Sequence, residues 1–351
     1  MTATAETTLR FPCKNCGAKL EFAPTATALT CGYCGYSEPV PSNQAAVVEY
    51  SFDDYKPESV GWDTALKSWE CKTCGALTER EPHVTAASCV FCGSTQIQPM
   101  EQSPHLHKPE SLLPFQVTRD QCIDLFRKWI KGLWFRPSSL AAEARADGLN
   151  GVYVPFWAYD ALTYSLYHAE RGDHYYETDD KGNRTQRTTW TWVNGTHSEF
   201  FDDVLAPGSA SVARSLSQAI EPFDTKALVP YKPEYLAGLV AEDYRIDMPT
   251  AWGTAKSRVD DAIREACKRK VGGDTQRSLS IQTSYMNRMY KLCLLPIWIA
   301  SYRFQSKSYS YLVNGQTGRV SGQAPFSWIK ITLFVLALAA AIGGIAWLAN
   351  R

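Results

Sequence analysis

The chain has 351 residues, and its 36 Lys/Arg balance 36 Asp/Glu for a formal net charge of zero. That balance excludes the whole-chain cationic surface that nucleic-acid binding normally needs. Composition is otherwise that of a globular protein rich in aromatics, with eleven Trp and eighteen Tyr, and the length allows one sizeable core plus small appendages.

Residues 1–10 are polar and are expected to be disordered, with no apolar stretch that would make a signal peptide. A cysteine pattern is then written twice. Cys13-x2-Cys16 precedes Cys31-x2-Cys34 by fourteen intervening residues, and Cys71-x2-Cys74 precedes Cys89-x2-Cys92 by fourteen. The surroundings repeat as well: CKNCGA with CGYCG, then CKTCGA with CVFCG. Two knuckles of this spacing supply four soft ligands and leave no open position, which describes a closed, structural, tetrahedral zinc site. Iron in the same cage is the alternative metal. A secreted disulfide framework and a redox CxxC fit less well, since the motif recurs four times in paired register. The glycine after each knuckle lets the backbone turn towards the sulfurs without a Cβ in the way. The reading is two zinc ribbons at 11–39 and 67–98, with linkers at 40–66 and 99–111. Eight reduced thiols imply a cytosolic setting. Residues 1–100 hold seven Lys/Arg against eleven Asp/Glu, so these ribbons suit a protein partner better than DNA or RNA. His105 and His107, in the second linker, are expected in a solvated loop because both cages are already full.

An α+β domain with an antiparallel sheet is expected over 112–325. Thr118 caps a predicted helix with Ile123, Phe126, Trp129, Ile130 and Leu133 on one face, and a second short helix is predicted from Ser138 or Ser139 to Ala146. VYVPFWAYDALTYSLYHAERG reads as a long strand or bent strand pair, 184–204 as a hairpin turning at Asn194-Gly195, and 211–219 as a short helix. An amphipathic helix follows over 250–270, stopped by Gly272-Gly273. Strands are predicted at 278–287, 290–305 and 308–321. Val154-Pro155-Phe156-Trp157 is echoed by Leu295-Pro296-Ile297-Trp298, which hints at two related β elements in one sheet.

A transmembrane helix is predicted over 328–349. Residues 331–349 carry no charge, and at about 1.5 Å per residue they span ~28 Å, the thickness of a bilayer's hydrocarbon layer. Trp328 and Trp347 sit near its ends, as interfacial indoles do. Such a span implies a tail-anchored, single-pass protein of the inner (plasma) membrane with the bulk of the chain cytoplasmic. Ala339/Gly343 and Ala340/Gly344 are small-xxx-small pairs that would permit self-association. Catalytic signatures are missing: there is no GxxxxGK[ST], GxSxG, GxGxxG or HExxH. Cys122, Cys267 and Cys293 lie among apolar neighbours, and nothing in the sequence calls for an enzyme.

Tandem CKxCG knuckles, GVYVPFWAYDA, PYKPEYLAGLVAEDY, LLPIWIASY, YLVNGQTGRVSGQAP and the anchor together resemble a group of bacterial zinc-ribbon membrane proteins. Members are often labelled primosomal protein N′ (replication factor Y)/superfamily II helicase-like, or transcription-factor-IIB-type zinc ribbon proteins. The resemblance implies association with phage-shock-type envelope-stress proteins and with a virion-core-like, SPFH-related partner brought to the membrane. It lends no support to the helicase label, because the ATPase motifs are missing.

Overall fold

The β-branched and aromatic runs of the second half form three strands of exceptional length. The computed structural model describes residues 11–41, 46–56, 67–80, 88–100, 107–140, 148–304 and 307–349. Near the N-terminus, β1 (Leu20–Ala23), β2 (Ala28–Cys31) and β3 (Ser37–Pro39) make a separate antiparallel sheet. In the second cysteine module β4 (Lys67–Cys71) lies between β5 (Leu77–Arg80) and β6 (Ile97–Pro99). The large sheet contains β7 (Asn150–Thr178), β8 (Arg184–Pro207), β9 (Val240–Glu242), β10 (Thr275–Phe304), β11 (Lys307–Asn314) and β12 (Val320–Gly322). Its antiparallel order is β8-β7-β10-β11-β12, while β9 adds to the start of β7 in parallel.

Among the described residues four α-helices accompany these strands: α1 (Arg119–Lys131), α2 (Arg214–Ala219), α3 (Met248–Val271) and α4 (Trp328–Ala349). α1 begins in a full capping box. Thr118 Oγ1 accepts the Gln121 N–H at 3.3 Å, and Gln121 Oε1 accepts the Thr118 N–H at 2.9 Å. α3 is capped by Asp247, which accepts the Thr250 N–H at 3.1 Å, and it stops at Gly272 with φ +68°. The second short helix expected near Ala146 falls largely outside the described residues.

The sheet changes character along its length. Around 151–161 and 290–300 the side chains of β7 and β10 are buried on both faces. Beyond Leu162 the two strands and β8 continue as a three-stranded arm with one covered face. There Val259, Ile263, Cys267 and Val271 of α3 pack on Tyr167, Ala169, Leu279 and Ile281. The opposite face leaves Tyr164, Leu166, Trp192, Phe200 and Met286 exposed.

The sequence echo has a structural counterpart. Val154 pairs with Leu295, so the two VPFW-like segments run antiparallel about that point. Pro155 and Pro296 each accept a glycine N–H, from Gly208 (2.9 Å) and Gly315 (2.8 Å). Trp157 Nε1 donates to Ile246 O and Trp298 Nε1 to Val117 O, both at 2.8 Å. Each of these carbonyls immediately precedes a helix cap, Asp247 of α3 or Thr118 of α1. Two strand–helix units thus share one pseudo-twofold arrangement.

Three sequence expectations require correction. Asn194-Gly195 is not a turn: the pair lies within β8 opposite His168 and Tyr167. Gly195 instead makes room for the Tyr167 ring, since a Cβ there would come within 2.3 Å of its hydroxyl. The reversal occurs at 179–183, where Asp179 accepts the N–H groups of Lys181 (3.0 Å) and Asn183 (2.7 Å) in an Asx-type turn. The strands predicted at 278–287 and 290–305 are one strand, β10, bulged between Met286 and Met289. His107 is not in a solvated loop. Its Nε2 lies 2.6 Å from Glu110 Oε1, and its ring contacts those of Tyr50, Trp157 and Tyr290. His105 lies outside the described residues.

Arm and base meet at a charged layer. Bulges in β8 (between Phe201 and Val204) and β10 (between Met286 and Met289) flank Asp160 of β7 from both sides. Asp160 accepts the Asp203 N–H at 2.7 Å, and the buried Lys291 ammonium bridges Asp203 (2.5 Å) and Glu49 (2.7 Å). Lys291 thereby supplies the cation for the group formed by Asp160, Asp202 and Asp203. Burial raises the Asp160 carboxyl to about 7. The unfolded chain releases that proton near pH 4, so between about 4 and 7 the folded state binds more protons. Stability from this group is therefore full below pH 4 and declines as pH rises to 7. Asp160→Asn, which keeps the acceptor, should flatten this slope and raise stability at pH 8 by about 1–3 kcal/mol. Thermal melts of both proteins across pH 4–8 read the difference.

Candidate metal centres

Each cysteine module builds its site from two backbone hooks. In the first, the Gly17 N–H donates to Cys13 O (2.8 Å) and the Gly35 N–H to Cys31 O (3.0 Å). In the second, the Gly75 and Gly93 N–H groups donate to Cys71 O and Cys89 O, both at 2.8 Å. The four glycines have φ of 75°, 74°, 74° and 72°. A Cβ on Gly17 or Gly35 would meet nothing within 4 Å. Glycine is required here by the left-handed backbone and not, as the sequence suggested, by crowding at the sulfurs.

The hooks bring Cys13, Cys16, Cys31 and Cys34 into one group and Cys71, Cys74, Cys89 and Cys92 into another, with all sulfurs of a group within 4.8 Å. Cross-knuckle Sγ separations are 3.6 Å (Cys13 to Cys34) and 3.5 Å (Cys16 to Cys31), then 3.7 Å (Cys71 to Cys92) and 3.6 Å (Cys74 to Cys89). A tetrahedral ion with metal–sulfur bonds of ~2.3 Å has sulfur–sulfur edges of ~3.8 Å. None of the eight is disulfide-bonded. The electrostatics also fit a cation. The Tyr36 N–H lowers the Cys34 thiol to about 6. The Ala18 N–H favours the Cys16 thiolate, yet desolvation and the adjoining thiols hold Cys16 up at about 12. Four sulfurs this close ionise together only around a positive ion. These residues fit zinc.

The two modules sit differently in the fold. In the first, Cys16 and Cys34 are exposed, and Tyr33 at the tip of the second knuckle is 87% exposed. In the second, the equivalent tip residue Phe91 is 6% exposed and packs into the main core with Val90. Beside it a cavity of about 310 Å³ is lined by Cys74, Cys92, Phe91, Leu216 and Leu312 among others.

The segment 235–245 joins both modules to the large sheet. Tyr235 packs on Phe22 with ring centroids 5.2 Å apart, and Ala237 O accepts the Phe22 N–H at 2.9 Å. Gly238, at φ +80°, passes so close that a Cβ would lie 2.9 Å from the Glu21 side chain. Directly after it, β9 pairs antiparallel with β5 and parallel with β7. Arg245 then reaches Glu70 at 3.0 Å. The modules are therefore docked, not suspended on flexible tethers. The YLAG and AE motifs of the sequence are this clamp.

No family model matches the chain, and no solved structure does. A relative is found in Bacillus subtilis (strain 168). It carries the name "Uncharacterized protein YdjG", is 28% identical over 342 residues, and the match covers 94% of each chain.

The cysteines outside the two groups lie in the core. Cys122, Cys267 and Cys293 are fully buried, and burial raises Cys122 to about 12. Cys293 pairs with Phe156 in the sheet, and its thiol donates to Phe156 O at 3.3 Å. The NGQTG motif is a turn braced from within: Asn314 Oδ1 accepts the Gln316 and Thr317 N–H groups (2.9 Å each), while its amide donates to Ile220 O at 3.0 Å.

α4 is long and apolar enough to cross a membrane, and its most apolar stretch is unburied, with a mean hydropathy of 2.3. Its base is held by the loop after α1. Ser327 N–H donates to Phe135 O (2.8 Å), Arg136 lies 3.8 Å over the Phe326 ring, and Phe135 meets Phe334. Trp134 and Trp328 are each about three-quarters exposed at this level.

Proposed function

We propose that the protein is a membrane-anchored adaptor whose first zinc ribbon captures a cytosolic protein and holds it at the inner membrane. α4 is the anchor, and Trp134, Phe135, Phe326 and Trp328 form an aromatic belt at the lipid interface. Both cages carry structural zinc. The observation that carries this reading is the asymmetry of the knuckle tips. Phe91 closes the second ribbon against the domain, whereas Tyr33 is presented to solvent on a rigid hook, as binding anchors are. The acidic balance of residues 1–100 favours a protein over a nucleic acid. The sequence resemblance extends the reading to envelope stress, with an SPFH-related, virion-core-like or phage-shock protein as the recruited partner. Raising a partner's local concentration at the bilayer needs no chemistry of the adaptor's own.

Tyr33→Ala tests this reading. Co-purification from solubilised membranes should retain the partner with wild type and lose at least ~30-fold in affinity with the variant, the cost of a hot-spot aromatic. Bound zinc should stay unchanged. Capture unaffected by Tyr33→Ala would reject the assignment. Salt-dependent binding of the full chain to DNA or RNA would favour a tethered nucleic-acid binder instead.

A further inference from the structure

The arm ends laterally in two edges of opposite character. Among the described residues, the β10 edge over 275–289 is broken by two bulges, at Arg277/Ser280 and Met286/Met289, with Ser278 and Asn287 at positive φ. Bulges of this kind prevent edge-to-edge pairing. Over 184–201 β8 shows no such device, its one bulge lying at the base of the arm between Phe201 and Val204. Among the described residues it pairs only with β7, and its register runs without a break from Arg184 to Phe201. Residues 188–198 contain no Lys, Arg, Asp, Glu or Pro.

The hydrogen-bonding parity of this edge follows from the hairpin. Asp179 N–H donates to Asn183 O at 3.0 Å, so odd-numbered β8 residues turn their N–H and C=O towards β7. Even-numbered residues turn theirs outward. Consistent with this, Lys270 Nζ reaches the Thr196 carbonyl at 3.0 Å. Trp190, Trp192, Asn194 and Thr196 therefore carry the pairing groups of a free ladder.

Charge on β8 is divided between its ends. Arg184 and Arg187 lie at one end, Glu199 and Asp202 at the other. Parallel self-pairing would set like charges together. Antiparallel pairing centred on Val193 sets Arg187 opposite Glu199 within the unbroken register. The same register places Trp192 opposite Asn194 and Trp190 opposite Thr196, all outward-facing residues. One register thus satisfies both the ladder and the charges. Arg187 is at present paired with the exposed Glu177 (3.1 Å), and Glu199 with His197 (2.8 Å). Both contacts are exchangeable at the surface.

We infer that the β8 edge is a two-fold self-association site, joining the arms of two copies into a continuous six-stranded antiparallel sheet. The occupant is a second copy of this chain because the edge is complementary to itself. The dimer requires the Lys270 side chain to release Thr196.

The test uses the full-length protein in lipid nanodiscs, with the monomer–dimer distribution read by mass photometry. Wild type should dimerise. Arg187→Glu and Glu199→Arg should each raise the dimer dissociation constant at least tenfold, and the combined R187E/E199R protein should recover the wild-type value. Recovery in the double variant also shows that the single variants fold. Asn194→Pro, which removes an outward N–H and leaves the β7 pairing intact, should behave like the single charge reversals. A monomeric wild type would overturn the inference. So would dimers insensitive to all three single substitutions, which would place self-association in α4 instead.

Discussion

Replacing Cys71 and Cys74 together by serine should remove one of two zinc equivalents and destabilise the large domain. The corresponding Cys13/Cys16 pair should also cost one equivalent but leave that domain intact. The difference follows from how each module is joined to the rest. β5 of the second module continues the large sheet through β9, and Phe91 and Val90 sit in a core shared with Val152, Phe156, Leu295 and Ile297. Structural zinc contributes roughly 10–16 kcal/mol to the folding of its own module, more than so few strands could replace. When the second cage opens, Phe91 leaves the core, and emptying a buried phenylalanine site costs about 3–5 kcal/mol. Against a typical domain stability of ~5–15 kcal/mol that is a large fraction. The first module also shares a hydrophobic cluster with the domain, Leu20, Phe22 and Leu29 lying with Tyr235, Leu236 and Ala237, but its three strands form a sheet of their own and do not join the large one. Metal analysis, thermal melts and limited proteolysis of the two variants separate these outcomes. Equal destabilisation by both would contradict the asymmetry.

Placing a charge in the middle of α4 should detach the protein from the membrane. The 331–349 stretch holds nine Leu, Ile, Phe or Val residues, each contributing ~−0.3 to −0.6 kcal/mol to insertion at the helix centre, about −3 to −5 kcal/mol together. Leu338→Arg removes one of these and adds a residue that costs ~+2.5 to +3.5 kcal/mol. That offsets nearly the whole driving force. Leu338→Ala, the control, should remain inserted. Alkaline carbonate extraction should leave wild type and Leu338→Ala in the pellet and release Leu338→Arg. A Leu338→Arg protein that still resists extraction would argue that α4 is held by protein contacts instead.

The cysteine groups were readable from spacing because metal ligation imposes a short local geometry, two hooks and a fixed gap. The long strands were readable as β-structure for a similar reason, since composition reports on a pleated, half-buried surface. Their extent was less apparent. Asn194-Gly195 has turn chemistry, yet twenty-two paired residues along β7 outweigh a local preference, and a glycine there serves the Tyr167 ring. β9 is three residues long and has no periodicity to detect. Its role, joining the second module to β7, exists only in three dimensions. The contrast between Tyr33 and Phe91 was also hidden. The two knuckles read alike, and only the packing of the second against the domain core separates them. The VPFW echo, by comparison, reported a real pairing, because both copies make the same tryptophan-to-carbonyl bond ahead of a helix.

The adaptor reading depends on what touches the first knuckle tip in the living cell. A photo-crosslinking amino acid at position 33 of the otherwise unaltered full-length chain addresses this directly, with the same group at exposed Tyr176 of the arm as comparison. The account predicts a discrete protein adduct in the membrane fraction from position 33 that is absent from position 176. Adducts to nucleic acid, or none above background at position 33, would contradict it.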